Sequence, residues 1–570
     1  MNDLKEKLGV LFNQALLDLF ISKSLVTSFE YDDQRYLYKT DIDICEDLMV
    51  MNADLLGEDY SFVGYNGDMF VDFLKIGKGT YLRFPMSERE KEVPAFVKNI
   101  LYLFREQYKE DNECQYELLG VSIITNNHYI IKYISNVIYR KYCLEKIKSS
   151  NFANSSAYMG SKKSLMGFII EAIWPHQQGE MSILDIMCGS GAASNAFAQM
   201  GKVYASDAQH FCRLLAKVQG SGFSVSLAEK LNNCLYKSYK EHMCLLQNEC
   251  SDALMKEQTI FHMDMKDPST VLEKYLEFIQ SFDLYSTTDC VSEKILTKIA
   301  ERKSDHKKVP YCLFTYYFSN IYFGLEQCNQ IDSLRYAIDK IDDKENREWL
   351  LGILIISVSS VASNYAGHFA QPKKLDKISL YSMIEKRKRS VWLEFSRRLF
   401  AIAEESERYS HEIIPIEGPW ENALKQMNGK KENILVYLDA PYTREEYSRY
   451  YHVLETLVLY DYPASEKKGR LRSLYNGERF KSEFSSRNKK HVEEYLARII
   501  KNILSVSSVC AWSYSNNGAA NIINIINEIV TGIKCNVYIY STSHRHASQG
   551  KNAKKNTRIV IEYCIVFVKT

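Results

Sequence analysis

The sequence predicts an α/β protein built on an open, mainly parallel sheet with helices on both faces. Three stretches carry that expectation. The apolar run Ile434–Leu438 stops abruptly at Asp439-Ala440-Pro441-Tyr442. That is the pattern of a buried strand ended by a proline that cannot extend a hydrogen-bonded ladder. The segment "SILDIMCGSGAASNAFAQMGKVYASDA" reads as strand, glycine turn, helix and second strand, with Asp207 closing the second strand. Towards the C-terminus, "SSVCAWSYS", "NVYIYSTS" and "RIVIEYCIVFVK" are further strands, the last two a terminal hairpin. Together they describe a Rossmann-like sheet encoded in two pieces, with ligands expected beyond the carboxyl ends of its strands.

In chain order, residues 1–150 read as a separate α+β piece. Helical periodicity covers Leu4 to Leu25, and strand-like runs such as "GTYLRFPM" and "GVSIITNNHYIIKYI" follow. The acids Asp41, Asp43, Glu46 and Asp47 lack a histidine partner and a glycine turn, so they read as a solvated face and not as a metal site. Residues 151–215 form the first part of the core. There "AYMGSKKSLMGFIIEAIWP" is a short turn followed by a helix with Leu165, Phe168, Ile169 and Ile173 on one stripe. The turn is either a plain helix start or a nest of amides that, with Lys162, receives an anion.

Residues 216–415 are mostly helical and read as an insert. The aromatic run after Val309 reads as core, and "WLLGILIISVSSVASNYAGHFAQPKK" as a buried helix ending at Gly367 and Pro372. Residues 416–570 complete the core. "TREEYSRYYHVLETLVLYDYP" is expected as one helix closing over the Asp439 turn, with His452 a helix-surface or packing residue and not a general base. His544 and His546 are placed on a basic connecting loop without a third metal ligand, which favours solvent or phosphate contact.

Composition narrows the class. The chain has 570 residues, 46% hydrophobic and 25% charged, as soluble globular proteins of two to four domains do. The N-terminus mixes acids into its apolar pattern, unlike a signal peptide. The apolar run Ile353–Val361 is too short to span a bilayer. Fourteen cysteines without a CxxC pair indicate neither a zinc knuckle nor a disulfide framework, and are read as reduced thiols of a cytoplasmic protein. Net charge is only +1, but two local basic tracts bracket the Asp439 turn. One contains Lys386, Arg387, Lys388 and Arg389; the other runs from Lys467 through Arg470 and Arg472 to Lys490. Such a pair suggests a phosphate-binding cleft.

The chemistry follows from residue types. The Asp439 carboxylate and the Ala440 carbonyl can accept the two hydrogens of an exocyclic amino group, and the Tyr442 ring can stack on a base taken out of its duplex. Gly189 and Gly191 allow close backbone approach, and Asp207 is spaced to accept from ribose hydroxyls. No GK[ST] follows, so a P-loop is excluded; an adenosyl ligand without phosphate fits better.

With these motifs in this order, the chain resembles the DNA adenine methylases, the N6-adenine-specific DNA methyltransferases of alpha-type motif order. The resemblance covers about residues 151–570. It implies an S-adenosylmethionine-dependent methyltransferase fold with a mixed seven-stranded sheet, a helical target-recognition insert and an extra N-terminal domain. It implies S-adenosyl-L-methionine held by Tyr158, Lys162, Asp185, Gly189, Gly191, Asp207, Asn422 and Asp439. Catalysis falls to Asp439, Ala440, Pro441 and Tyr442. Double-stranded DNA is the implied partner, touched by Lys386, Arg387, Lys388, Arg389, Arg470 and Arg472, with no metal and no membrane. A restriction endonuclease or defence-system proteins are the further partners it suggests. Three positions depart from the family pattern: Met187 stands for a phenylalanine, Asn422 for the acid that contacts the cofactor's adenine amino group, and Ala440 for the first proline of the catalytic motif. Two alternatives remain open: another amino acceptor (RNA adenine, cytosine N4 or protein glutamine), or a catalytically silent DNA-binding subunit of a defence complex.

Overall fold

The computed structural model describes residues 162–173, 181–281 and 557–570, and 311–547 with breaks at 366, 431–432, 443, 467–468 and 475–477. It also describes isolated positions at 176, 297, 300–301 and 304, and seven strands between Ser28 and Ile134. The expected helix Leu4–Leu25, the acidic cluster Asp41–Asp47, Tyr158 and Ser161 lie outside the described residues.

The core sheet consists of β1 (Ser182–Asp185), β2 (Val203–Ser206), β3 (Ile413–Ile416), β4 (Ile434–Leu438), β5 (Val509–Ser515), β6 (Cys535–Ala547) and β7 (Thr557–Lys569). Their order is β3-β2-β1-β4-β5-β7-β6. The first five strands are parallel neighbours, whereas β7 runs antiparallel to β5 and β6 antiparallel to β7. This mixed seven-stranded sheet with helices on its faces fits the α/β methyltransferase fold expected from the sequence. Beyond β6 the ladder continues, Val537–Tyr540 pairing antiparallel with the strand Glu117–Ile124. Strand β6 also runs through His544 and His546, so these positions belong to a hairpin arm and not to the connecting loop expected for them.

Burial explains the sequence pattern. All five residues of β4 are buried, because parallel strands covered on both faces have no polar side to alternate with. The one polar group within β4, the Tyr437 hydroxyl, is satisfied 2.7 Å from Ser513 Oγ. Tyr437 pairs with Asp185 of β1, and the Ile186 amide donates to the Tyr437 carbonyl at 3.2 Å. The turns leaving β1 and β4 therefore emerge side by side.

The insert packs on the core through its own helices. Helix Lys344–Val361 crosses helix His210–Lys217 so closely that a Cβ at Gly352 would lie 2.6 Å from the Leu214 carbonyl oxygen. Only glycine permits that approach. The aromatic run is core, as expected: Tyr311, Leu313, Phe314, Tyr317, Tyr322 and Phe323 are all buried. Buried Asp332 accepts from the Phe314 and Thr315 amides and from the Tyr460 hydroxyl, joining the insert to the segment after β4. That segment forms two short helices, Tyr447–Tyr450 and His452–Leu459, broken at Tyr451, where one helix was expected. His452 is buried and pushed down to about 3 by desolvation, its ring nitrogen 3.1 Å from the Phe369 carbonyl. It is a neutral packing residue.

Candidate active site

A cavity of about 680 Å³ opens beyond the carboxyl ends of β1, β2 and β4, and both halves of the core wall it. One wall is the turn Ile186–Ser190 with Asp207; the facing wall is Asp439–Tyr442. The volume falls in the range of cofactor and small-ligand sites.

The glycine turn has a steric logic. Gly189 and Gly191 adopt φ of +51° and +78°, the left-handed region that a side chain resists. A Cβ at Gly191 would also lie 2.5 Å from Gln219 Nε2 and 2.6 Å from Ala216 Cα. Helix Ala192–Phe197 then begins at once. The Gly189 amide donates to Asp207 Oδ2 at 3.1 Å, and the Gln209 amide to Oδ1 at 2.9 Å. Each carboxylate oxygen keeps a second lone pair, so Asp207 can still accept from two vicinal hydroxyls. Burial lifts Asp207 to about 6, against the backbone hydrogen bonds that lower it.

Asp185 is buried and accepts from Ser194 Oγ at 2.6 Å, while its Oδ1 has no hydrogen-bond partner among the described residues. Burial, assisted by Asp439 and Asp207, raises it from 3.8 to about 7. A carboxyl with a raised folded-state value holds its proton more tightly folded than unfolded. Its stabilising contribution is thus complete at low pH and is lost as pH rises through about 7. The Asp185→Asn variant is therefore expected to gain stability relative to wild type as pH rises from about 4 to 8, measured as denaturant midpoints of the free protein. Parallel pH curves for the two proteins would show that Asp185 does not titrate there.

Across the cavity, Asp439 Oδ1 lies 3.1 Å from Lys162 Nζ, and the Lys162 ammonium stands 4.1 Å from the centre of the Tyr442 ring. Burial raises Asp439 and the Lys162 charge opposes it. Tyr442 meets Tyr514 edge-on at 5.1 Å, and its carbonyl accepts from the Ala519 amide at 3.1 Å. Lys162 is thus anchored to the Asp439–Tyr442 turn; no sequence pattern signalled that contact, because 277 positions separate the partners.

Not every expected residue reaches the site. Asn422 does not line the cavity. It is exposed on helix Trp420–Met427, its amide against the Gly418 turn. Its neighbours Pro419, Trp420 and Glu421 line the cavity instead, so the acid of that corner is Glu421, one helix position earlier. The basic tracts need a larger correction. Arg387 is buried and donates to the Tyr275 and Ser363 hydroxyls and the carbonyls of Asn320 and Ile321. Arg472 is buried and holds Asp461 with two hydrogen bonds, at 2.8 and 2.6 Å. Both guanidinium groups are spent inside the fold. Lys386 donates to the Ala362 carbonyl at 3.1 Å, Arg470 is half-buried, and Lys388 is paired with Glu385 at 2.9 Å on the surface. Of the six, Lys388 and Arg389 are exposed.

The donor set favours a cationic, phosphate-free ligand. Among the described residues six carboxylates, Asp185, Asp207, Asp439, Glu421, Glu445 and Glu483, line the cavity against three cations, Lys162, Lys481 and Arg498, so a diphosphate there would meet an excess of like charge. An adenosyl group with a sulfonium and an amino-acid tail offers hydroxyls to Asp207 and positive charge to the carboxylates. Among the described residues no group of His, Cys, Asp and Glu is arranged to hold a metal ion, and no helix is long and apolar enough to cross a membrane.

Comparison with curated proteins finds similarity to the type II methyltransferase M.FokI of Planomicrobium okeanokoites. Identity is 22% over 323 residues, or 55% of this chain and 38% of that protein. The modification methylase StsI of Streptococcus sanguinis is 22% identical over 412 residues, 70% of this chain and 50% of its own length. The chain therefore spans half or less of these relatives. No protein-family model matches the sequence. No solved structure matches it.

Proposed function

We propose, from the premise that this chain is a relative of the type II DNA methylases, that it transfers a methyl group from S-adenosylmethionine to the N6 amino group of adenine in a specific double-stranded DNA sequence. The observation that supports this reading most directly is that the Gly189–Gly191 turn with Asp207 and the Asp439–Tyr442 turn wall one cavity. The insert would supply target recognition, and a restriction or defence role fits the relatives' names, type II methyltransferase and modification methylase.

The residues divide the work. When bound, S-adenosylmethionine supplies an electrophilic methyl group. Asp207 would hold the ribose hydroxyls, the glycine turn would let the backbone lie against the adenosyl group, and Trp420 with Glu421 would border its adenine. The amino nitrogen of adenine is a weak nucleophile because its lone pair is delocalised into the ring. Asp439 and the Ala440 carbonyl accept its two hydrogens and favour a pyramidal nitrogen with a localised lone pair. A backbone carbonyl accepts as well from alanine as from proline, so Ala440 keeps that acceptor. The protein's contribution is placement and charge arrangement, without a covalent intermediate.

Single-molecule sequencing of DNA from a host expressing the chain tests this. Modified adenines confined to one sequence context are expected. Modified cytosines would move the acceptor to N4, and unmodified DNA from a protein that binds S-adenosylmethionine would favour the silent DNA-binding subunit.

A further inference from the structure

The large apolar side chains around the cavity are mostly buried, as Trp420, Tyr437 and Phe484 show. Phe480 is different: it borders the same cavity and is 47% exposed. A single exposed ring is ordinary on a protein surface, but this one is held in place from both sides. Ser448 Oγ donates to the Phe480 carbonyl at 2.6 Å. The preceding Arg479, itself buried, pairs with Glu446 at 3.0 Å. After it, Ser482 caps the short turn Glu483–Ser485, and buried Phe484 packs edge-on against Tyr495 at 5.2 Å. The backbone is pinned and the ring is left in solvent at the cavity lip.

A second observation comes from its neighbour. Lys481 also borders the cavity, is exposed, and has no ion pair or hydrogen bond among the described residues. It adds an unneutralised cation to a cavity otherwise rich in carboxylates. An aromatic face beside a free ammonium is the pairing that receives a nucleotide, the ring stacking on the base and the cation meeting the phosphate.

We propose that Phe480 and Lys481 form the entry contact for the target nucleotide, Phe480 stacking on the base as it leaves the duplex and Lys481 contacting its backbone phosphate. This rests on the reading of the chain as a DNA adenine methylase. The stacking role assigned to Tyr442 is then shared, since the Tyr442 ring already carries Lys162 over it.

The test uses the full chain and a duplex carrying the methylated context, with 2-aminopurine at the target adenine, whose fluorescence rises when it leaves the stack. Phe480→Ala is expected to lose most of that rise and to raise KM for DNA about tenfold or more, in line with the loss of one stacked base. Affinity for S-adenosylmethionine, titrated without DNA, stays at the wild-type value, and Phe480→Trp restores the fluorescence. Lys481→Ala is expected to lower the salt dependence of DNA affinity by about one unit of slope. Wild-type fluorescence and KM in Phe480→Ala would overturn the proposal alone. Loss of S-adenosylmethionine binding in that variant would also overturn it, marking Phe480 as structural. A wild-type protein that methylates no DNA would overturn the proposal together with the function beneath it.

Discussion

Asp439→Ala is expected to reduce methyl transfer by about a thousandfold or more, as loss of a placed electrostatic partner in a desolvated site does. Affinity for DNA should stay within a few-fold of wild type, because the phosphate contacts lie on other residues, whereas S-adenosylmethionine affinity should fall, because Asp439 faces the sulfonium and anchors Lys162. On the proposed reading the carboxylate has two tasks: it would accept one amine hydrogen, and it neutralises Lys162, a buried residue whose ammonium sits 3.1 Å away. Alanine removes both and leaves a buried cation without its partner, so a stability loss of about 3 kcal/mol accompanies the lost activity. Asp439→Asn separates the two effects. It preserves shape but turns an N–H donor either towards the lysine or towards the amine, and it should be as inactive as alanine while folding better. A wild-type turnover number in either variant, measured with saturating DNA, would remove Asp439 from the chemistry.

Gly191→Ala carries the second large effect. The residue sits at φ +78°, and its new Cβ would fall 2.5 Å from Gln219 Nε2 and 2.6 Å from Ala216 Cα. The glutamine amide can swing, but the helix backbone at Ala216 cannot. A left-handed alanine costs about 1–2 kcal/mol, and forcing two packed helices apart adds about 1–3 kcal/mol. The sum is about 2–5 kcal/mol, read as a lower denaturant midpoint. Gln219 also donates to the Ser190 carbonyl at 2.6 Å, so the cofactor turn shifts with it, and S-adenosylmethionine affinity should fall along with stability. An alanine variant as stable as wild type, with unchanged cofactor affinity, would show that the turn tolerates a side chain.

What was legible in the sequence was what is local. The strand-turn-helix of Ile183–Met200 and the strand ending at Asp439 are each set by residues within a few positions of one another, and glycine or proline punctuates both. Parallel strands buried on both faces leave continuous apolar runs, so β4 announced itself. The terminal hairpin was legible from its two apolar strand runs, and the core character of the Tyr311–Phe323 run from its density of aromatic side chains. What failed was anything decided by distant partners. A basic tract reads as a solvated face, yet Arg387 finds four acceptors from three separate segments and Arg472 finds Asp461. The Lys162–Asp439 pair links chain segments that share no local pattern. Asn422 and Glu421 differ by one position, about 100° around a helix, and spacing alone does not resolve which of the two faces the cavity. The break at Tyr451, within a segment of continuous helical periodicity, has the same origin: tertiary contacts override the local pattern.

The most direct measurement follows the methyl group itself. The purified chain is incubated with S-adenosylmethionine labelled in its methyl group and with double-stranded DNA carrying the modified context, and the DNA is digested to nucleosides. Label in N6-methyladenine from the wild-type protein, and none from Asp439→Ala, is the expected result. Label in any other nucleoside, or an equal yield of N6-methyladenine from Asp439→Ala, would contradict a methyl-transfer site formed where the Gly189–Gly191 and Asp439–Tyr442 turns meet.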